Sequence, residues 1–274
     1  MNPKTRALNE SAILIALATI LSVLKIVDLP YGGSITFASM LPIIIISYRH
    51  GVGYGLISGL VYGVLQQLLG LKTLSYVSTW QSIVAVIVLD YVLAFTIIGL
   101  GGIFRKSVKN QSASLALGSF AVCIIRYVCH VLSGATVWAG ISIPTKAALI
   151  YSVGYNATYM IPETIIVVLA AAYLGSALDF KSETPVRIKS EITSGNGSVI
   201  GKIVPGLLIV VGLIADIVLI FSKLQNAETG EFDFSQLADV NWLTVAIISC
   251  VAVASALFVW MRMGKKSDAS SKTN

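Results

Sequence analysis

Long apolar runs, broken by short polar clusters, dominate the 274-residue chain. Many of them approach the ~20 residues that a helix needs to cross a bilayer. They predict spans at 8–27, 36–48, 51–70, 80–103, 113–134, 146–176, 202–222 and 242–261. A polar stretch, DFKSETPVRIKSEITSGNGS at 179–198, separates the sixth from the seventh and reads as a linker. The last two spans form a hairpin, in which Pro205 suits a helix's first turn and Trp242 and Trp260 suit the two interfacial belts. The pattern predicts an all-α polytopic membrane protein. It divides into a six-helix bundle over 1–178, a linker over 179–201, and a two-helix transmembrane hairpin with a basic tail over 202–274.

Composition strengthens this reading. Hydrophobic residues make up 56% of the chain and charged residues 12%, with a mean hydropathy of +0.85. A soluble domain carries about twice that charged fraction. The net charge of +6 sorts by side. Lys4, Arg6, Arg49, Arg105, Lys106, Lys109, Lys181, Arg187, Lys189, Lys202, Arg262, Lys265, Lys266 and Lys272 share one side if there are eight crossings. The other side holds mainly Lys72, Lys146 and Lys223, with Glu228, Glu231, Asp233 and Asp239. The positive-inside rule then places both termini in the cytoplasm of a plasma-membrane protein, and the basic balance reflects topology rather than a nucleic-acid partner. Cys123, Cys129 and Cys250 lie within apolar spans, where they act as small hydrophobes and support neither a disulfide nor a metal site. No small-residue cleavage site follows the first apolar run, so it reads as a retained helix. No internal repeat is visible, which weighs against an inverted-repeat carrier. The phosphate-binding pattern G-x-x-x-x-G-K-[ST] is missing, so ATP is not hydrolysed through such a loop.

Charged groups inside a bilayer cost about 2.5–3.5 kcal/mol each and need a partner or a watery cavity. The candidates are Asp90, Arg126, His130, Glu163 and Asp216. At ~1.5 Å per residue, Asp90 and Arg126 both fall about 12–15 Å below the outer surface. Opposite sign at matched depth predicts an Asp90–Arg126 salt bridge. Arg126, His130 and Gly134 share one helix face at i, i+4, i+8, and Trp138 follows. Asn156 lies at similar depth in the sixth span, and Tyr151, Tyr155 and Tyr159 step down one side of it. These residues either lock helices together or line an outward-opening pocket. An acid among aromatic rings suits a cationic or aromatic ligand. Glu163, beside Pro162 and deeper, reads as satisfying a kinked helix, and Asp216 has no account. Gly51, Gly55, Gly59 and Gly63 form a side-chain-free stripe whose plain reading is internal packing; Ala12 and Ala16 form a weaker small-residue pair.

The segments AILIA, LPIIIISYRHG, LDYVLAF, RYVCHVLSGATVWAG and YSVGYNATYMIPE, in that order and spacing, carry a resemblance. Over about the first 178 residues the chain resembles the thiamine-binding substrate-capture subunit of energy-coupling-factor (ECF) vitamin transporters. The resemblance implies a six-helix substrate-capture bundle that binds thiamine near the outer face and is not an enzyme. Ala12 and Ala16 would dock on a membrane coupling subunit, and two cytoplasmic ATPases would complete the machine, with no cofactor in this chain. Trp138 would stack on the aminopyrimidine, with His130 and Tyr91 near the thiazolium. Tyr151, Asn156, Asp90 and Arg126 would supply polar contacts and Gly134 would line the pocket. The family's acid is glutamate and its base lysine, so Asp90 and Arg126 are departures that bear on the choice between thiamine and a precursor. Its loop tryptophan has no counterpart in VDLPYGGSITFASM, where Tyr31 or Phe37 is the substitute. The last two spans lie outside the resemblance. The alternatives are a stand-alone secondary carrier for a cationic aromatic solute and an intramembrane enzyme. The serine-protease pattern G-x-S-G is not met by the G-x-x-S-G around Ser58.

Overall fold

The structure, a computed structural model, describes residues 2–29, 32–77, 79–138, 146–188, 197–224 and 234–271. The chain divides into two compact units, 1–188 and 189–274. Among the described residues, seven helices are long and apolar enough to cross a membrane.

In the first unit α1 spans Pro3–Val23, with the Asn2 side chain accepting from the Lys4 amide and proline in the first turn. A short antiparallel hairpin follows, β1 (Lys25–Asp28) and β2 (Ser34–Thr36), with a bulge between Lys25 and Val27. Next come α2 (Leu41–His50) and α3 (Val52–Leu69). The fourth rod is composite: α4 (Trp80–Ala85), a π-helical segment (Val86–Leu93) and α5 (Ala94–Ile98). Long helices α6 (Gln111–Trp138) and α7 (Lys146–Ala177) complete the bundle. A two-residue ladder, β3 (Leu178–Asp179) with β4 (Val186–Arg187), closes the unit.

Two departures from the boundaries that the hydropathy predicts shape the end of the bundle near the hairpin. The first helix ends at Val23 rather than near 27, and the hairpin takes the residues that follow. The second helix covers 41–50 rather than 36–48, because β2 and the turn after it hold residues 34–39 outside the helix. Ala38 in that turn has φ 58°, left-handed backbone that a residue with a Cβ seldom adopts. Ten residues of α2 span only about 15 Å. Every residue from Leu41 to Arg49 is buried, so α2 is the core strut of the bundle. Ile43, Ile44, Ile46 and Tyr48 pack among Tyr62, Ile98, Leu115 and Val122. A helix apolar all round is one buried all round.

The glycine stripe packs α3 against the fourth rod. A Cβ on Gly55 would lie 2.3 Å from the Gly99 carbonyl oxygen, one on Gly59 2.6 Å from that of Phe95, and one on Gly63 2.6 Å from that of Tyr91. Gly51 makes no such contact; with φ 96° it turns the chain between α2 and α3. The backbone carrying Asp90 and Tyr91 is thus pressed directly onto α3.

At the end of the bundle away from the hairpin, Arg49 gathers three segments. Its Nε and Nη2 donate to the Glu10 carboxylate at 2.8 and 2.9 Å, and its Nη1 and Nη2 donate to the carbonyls of Phe180, Ser182 and Glu183. His50 Nε2 lies 2.7 Å from the same carboxylate, and Arg6 pairs with Glu183. These bonds tie residues 180–183, the start of the stretch whose composition reads as linker, to the bundle.

In the second unit α8 (Gly197–Leu224) packs on α9 (Trp242–Ser271). A Cβ on Gly212 would sit 2.4 Å from that of Ala252. Asp216 is buried there and accepts a 2.6 Å hydrogen bond from the Ser249 hydroxyl.

Candidate ligand-binding site

A cavity of about 570 Å³ opens at the hairpin end of the bundle. The hairpin, the end of α3, the π segment, α6 and α7 all contribute to its wall. The π segment is the local device. Widening the helix by i→i+5 bonding, as often occurs at functional sites, brings Val86, Asp90, Tyr91 and Phe95 together onto the cavity. Tyr91 is steadied by the Gly70 carbonyl and the Thr73 hydroxyl, and its ring stacks on Phe95.

Asp90 does not pair with Arg126, which corrects the bridge expected from matched depth. Its Oδ1 lies 2.7 Å from His130 Nδ1, and its Oδ2 accepts a 2.6 Å bond from the Ser133 hydroxyl. His130 and Ser133 stand three apart on α6, so one helix face holds the carboxylate by both oxygens. Equal depth does not fix azimuth, and the π segment turns Asp90 toward that face. Arg126 lies elsewhere on the wall. Its Nη1 donates to the Met40 sulfur at 2.8 Å and its guanidinium sits 4.5 Å from the Phe95 ring centre. A thioether is a weak acceptor, and Arg126 Nε is buried without a hydrogen-bond partner among the described residues.

The α7 wall is a column. Ser152 donates to the Val131 carbonyl, and Asn156 Nδ2 reaches toward the Ser152 carbonyl and hydroxyl and the His130 carbonyl. Asn156 Oδ1 accepts from the Tyr159 hydroxyl at 2.6 Å, and the Tyr159 ring meets His130 edge-on. Gly134 permits this closeness: a Cβ there would lie 2.4 Å from Ser152 Oγ. At the inner end Glu163, 2% exposed, accepts 2.6 Å hydrogen bonds from both the amide and the hydroxyl of Thr36.

Residues 8–181 match the family model described as "Thiamine transporter protein (Thia_YuaJ)". The chain belongs to this family. Among its relatives, the thiamine transporter ThiT of Bacillus subtilis is 34% identical over 187 residues, covering 64% of this chain and 93% of that protein. ThiT of Lacticaseibacillus paracasei is 26% identical over 181 residues, covering 60% and 84%. A solved structure of ThiT from Listeria monocytogenes aligns with a TM-score of 0.50 at 24% identity, over 64% of this chain and 95% of that one, and shares the fold. The family match ends before the second unit begins.

Within this thiamine transporter family member, Asp90, Tyr91, Arg126, His130, Gly134 and Asn156 all line the cavity. Tyr151 stands one step back, its ring stacked on Tyr155. Trp138 closes α6, but its side chain lies outside the described residues, as does Tyr31. Phe37 is exposed. Ala12 and Ala16 are exposed on α1. Among the described residues no three His, Cys, Asp or Glu side chains could hold a metal ion together.

Among the lining residues that the sequence reading does not name are Ser133 and Thr36, and it gives Glu163 a structural role rather than a place on the cavity. Ser133 carried a usable signal, three residues after His130 on the same face. Thr36 carried none, because its partner is 127 residues away.

Proposed function

We propose that this chain captures thiamine outside the cell and is the substrate-binding membrane subunit of an ATP-driven ECF transporter. The observation that carries the reading is the charge of the cavity. Two carboxylates, Asp90 and Glu163, face it with one guanidinium, Arg126, and with His130 neutral the formal balance is −1. The exposed Lys25–Asp28 pair at the rim, 2.9 Å apart, cancels itself. A monocation neutralises such a site, and Tyr91, Phe95, Tyr155 and Tyr159 offer ring faces for a heteroaromatic one. The volume fits the range of small-molecule sites, roughly 300–1,000 Å³. Family membership names thiamine, a monocation with an aminopyrimidine.

The remainder of the machine follows from the same reading. The basic loops support a topology with both termini in the cytoplasm and the cavity facing outward. Ala12 and Ala16 give α1 an exposed small-residue face on which a membrane coupling subunit can approach closely. Two cytoplasmic ATPases drive the reorientation that delivers the vitamin inward, and this chain performs no chemistry on it. The test is titration of the detergent-purified full chain with thiamine, thiamine monophosphate and the isolated pyrimidine, followed by tryptophan fluorescence. Saturable quenching by thiamine, largely lost in Trp138→Ala, is expected. Uptake by the chain expressed without its ATPases, undiminished when ATP is depleted, would mark a stand-alone carrier and sink this assignment.

A further inference from the structure

Glu163 has no place among the expected ligand contacts, yet it is the most completely buried carboxylate described. Its two oxygens receive the amide and the hydroxyl of one residue, Thr36, at 2.6 Å each. Thr36 is the last residue of β2, and its register partner Lys25 opens β1. The same hydroxyl lies 2.9 Å from that of Ser39 and accepts from the Ser39 amide, so it also fixes the turn into α2 that contains the left-handed Ala38. Two further contacts press the hairpin onto α7. The Tyr155 hydroxyl donates to the Gly32 carbonyl at 2.8 Å, and Gly33 approaches the Tyr159 ring so closely that a Cβ would lie 2.5 Å from it. Tyr155, Tyr159 and Glu163 fall at i, i+4, i+8 and therefore on one face of α7. That face grips the hairpin along its length, and all three residues line the cavity.

The three grips differ in kind. Tyr155 makes one neutral hydrogen bond near the tip, and Tyr159 makes a packing contact. Glu163 receives two 2.6 Å bonds from one residue while itself 2% exposed. We infer that Glu163 is a positioning residue: by holding Thr36 it seats the β1–β2 hairpin on α7, so that ligand residence in the cavity depends on it without direct contact. The inference rests on the cavity being the thiamine site. It predicts an asymmetry. With the seat weakened, ligand still enters, but the hairpin leaves α7 more often and release quickens.

The experiment uses the full chain in detergent, with Glu163→Gln, Thr36→Val and the double variant. Hydrogen–deuterium exchange over residues 25–36 is followed without ligand, and thiamine association and dissociation rates are measured by stopped flow. Each single variant breaks one of the two bonds. Each should speed exchange of the hairpin amides and raise the thiamine dissociation rate about tenfold or more, with association within about threefold of wild type on the same scale. The double variant should be no worse than the worse single one, because both changes remove the same pair. A thiamine analogue with a neutral ring in place of the thiazolium separates seating from charge: seating predicts the same fold-loss for both ligands. Unchanged exchange at 25–36 in both variants overturns the inference, as does a loss confined to the cationic ligand. If Glu163→Gln fails to fold, Thr36→Val decides alone, since it leaves α7 and the carboxylate intact. Failure of wild-type protein to bind thiamine would defeat the proposed function, whereas the ligand-free exchange result still judges the seat.

Discussion

Two arginines in the same bundle have opposite surroundings. Arg49, at the end away from the hairpin, donates to both oxygens of Glu10 and to three backbone carbonyls. Arg126, on the cavity wall, has a sulfur and an aromatic face, and its Nε has no hydrogen-bond partner among the described residues. Both are charges in a largely apolar protein, and hydropathy treats them alike. The partners tell them apart. A guanidinium whose donors are all engaged is part of the frame; one left with weak partners beside an open cavity is available to whatever enters it. The same contrast separates Asn156, whose amide is consumed by Ser152, His130 and Tyr159, from His130, whose Nε2 is buried with no partner among the described residues.

The comparison is broken most directly by removing the saturated charge. Arg49→Met leaves Glu10 with His50 and Arg6 only, and frees the carbonyls of Phe180, Ser182 and Glu183 beyond β3. Loss of one partner of a buried, hydrogen-bonded pair costs about 3 kcal/mol or more. A marked fall in the thermal unfolding midpoint in detergent is expected, with thiamine affinity of the folded fraction unchanged. An unfolding midpoint equal to wild type would show that saturation does not mark a structural role.

Asp90→Asn comes next, and its effect falls on binding rather than on folding. The amide keeps the shape and one acceptor for Ser133 or His130, but the cavity's formal balance moves from −1 to zero. The thiamine dissociation constant is expected to rise about 100-fold, or ~2.7 kcal/mol. Isothermal titration checks it; a change below about threefold would remove the carboxylate from the account of cation binding.

How much of this was legible beforehand depends on the range of the interaction. The helices come from apolar runs that any local window detects, and the convergence of Asp90, His130, Gly134 and Asn156 follows from rise per residue and shared faces. The pairing of Asp90 failed because depth is one coordinate and azimuth another, and the π segment alters azimuth without leaving a composition signal. Of the hairpin at 25–36, residues 25–27 and 36 read as ends of the flanking spans, because the hydropathy of those spans extends that far, and 28–35 read only as the connection between them. Glu163 looked like a helix-kink residue since its partner, Thr36, lies on a strand that no local rule joins to α7. The polar composition at 180–183 does not reveal its partner for the same reason: that partner is Arg49, more than 100 residues earlier.

Gly134→Ala sharpens the comparison on the packing side. The added methyl would fall 2.4 Å from Ser152 Oγ, whose hydrogen bond to Val131 joins α7 to α6. Overpacking of this kind costs roughly 1–3 kcal/mol. Adding Ser152→Ala gives the methyl room, so the double variant should unfold at a higher temperature than Gly134→Ala alone. Simple additivity of the two losses would mean that the close approach of α6 and α7 is not set at this point.

The smallest expected effect on stability is the most informative about ligand choice. Arg126→Met replaces a cation that has little to lose: a sulfur contact and a cation–π contact, the latter worth about 0.5–2 kcal/mol and partly kept by methionine packing on Phe95. Stability should therefore change by less than about 1 kcal/mol, in contrast to Arg49→Met. For ligands the two charge arguments point in opposite directions. Thiamine is a cation, and removing Arg126 takes the cavity from −1 to −2, so its affinity should hold or improve. Thiamine monophosphate brings an anionic group that Arg126 favours, the other lining cation, Lys25, being paired with Asp28 at the rim, so its affinity relative to thiamine should fall about tenfold, the worth of a single charge-assisted contact. A loss of thiamine binding itself by more than about tenfold would place the guanidinium in direct contact with the vitamin. Arg126 would then act through hydrogen bonds to the pyrimidine, and the charge balance of the cavity would no longer be sufficient to explain what it holds.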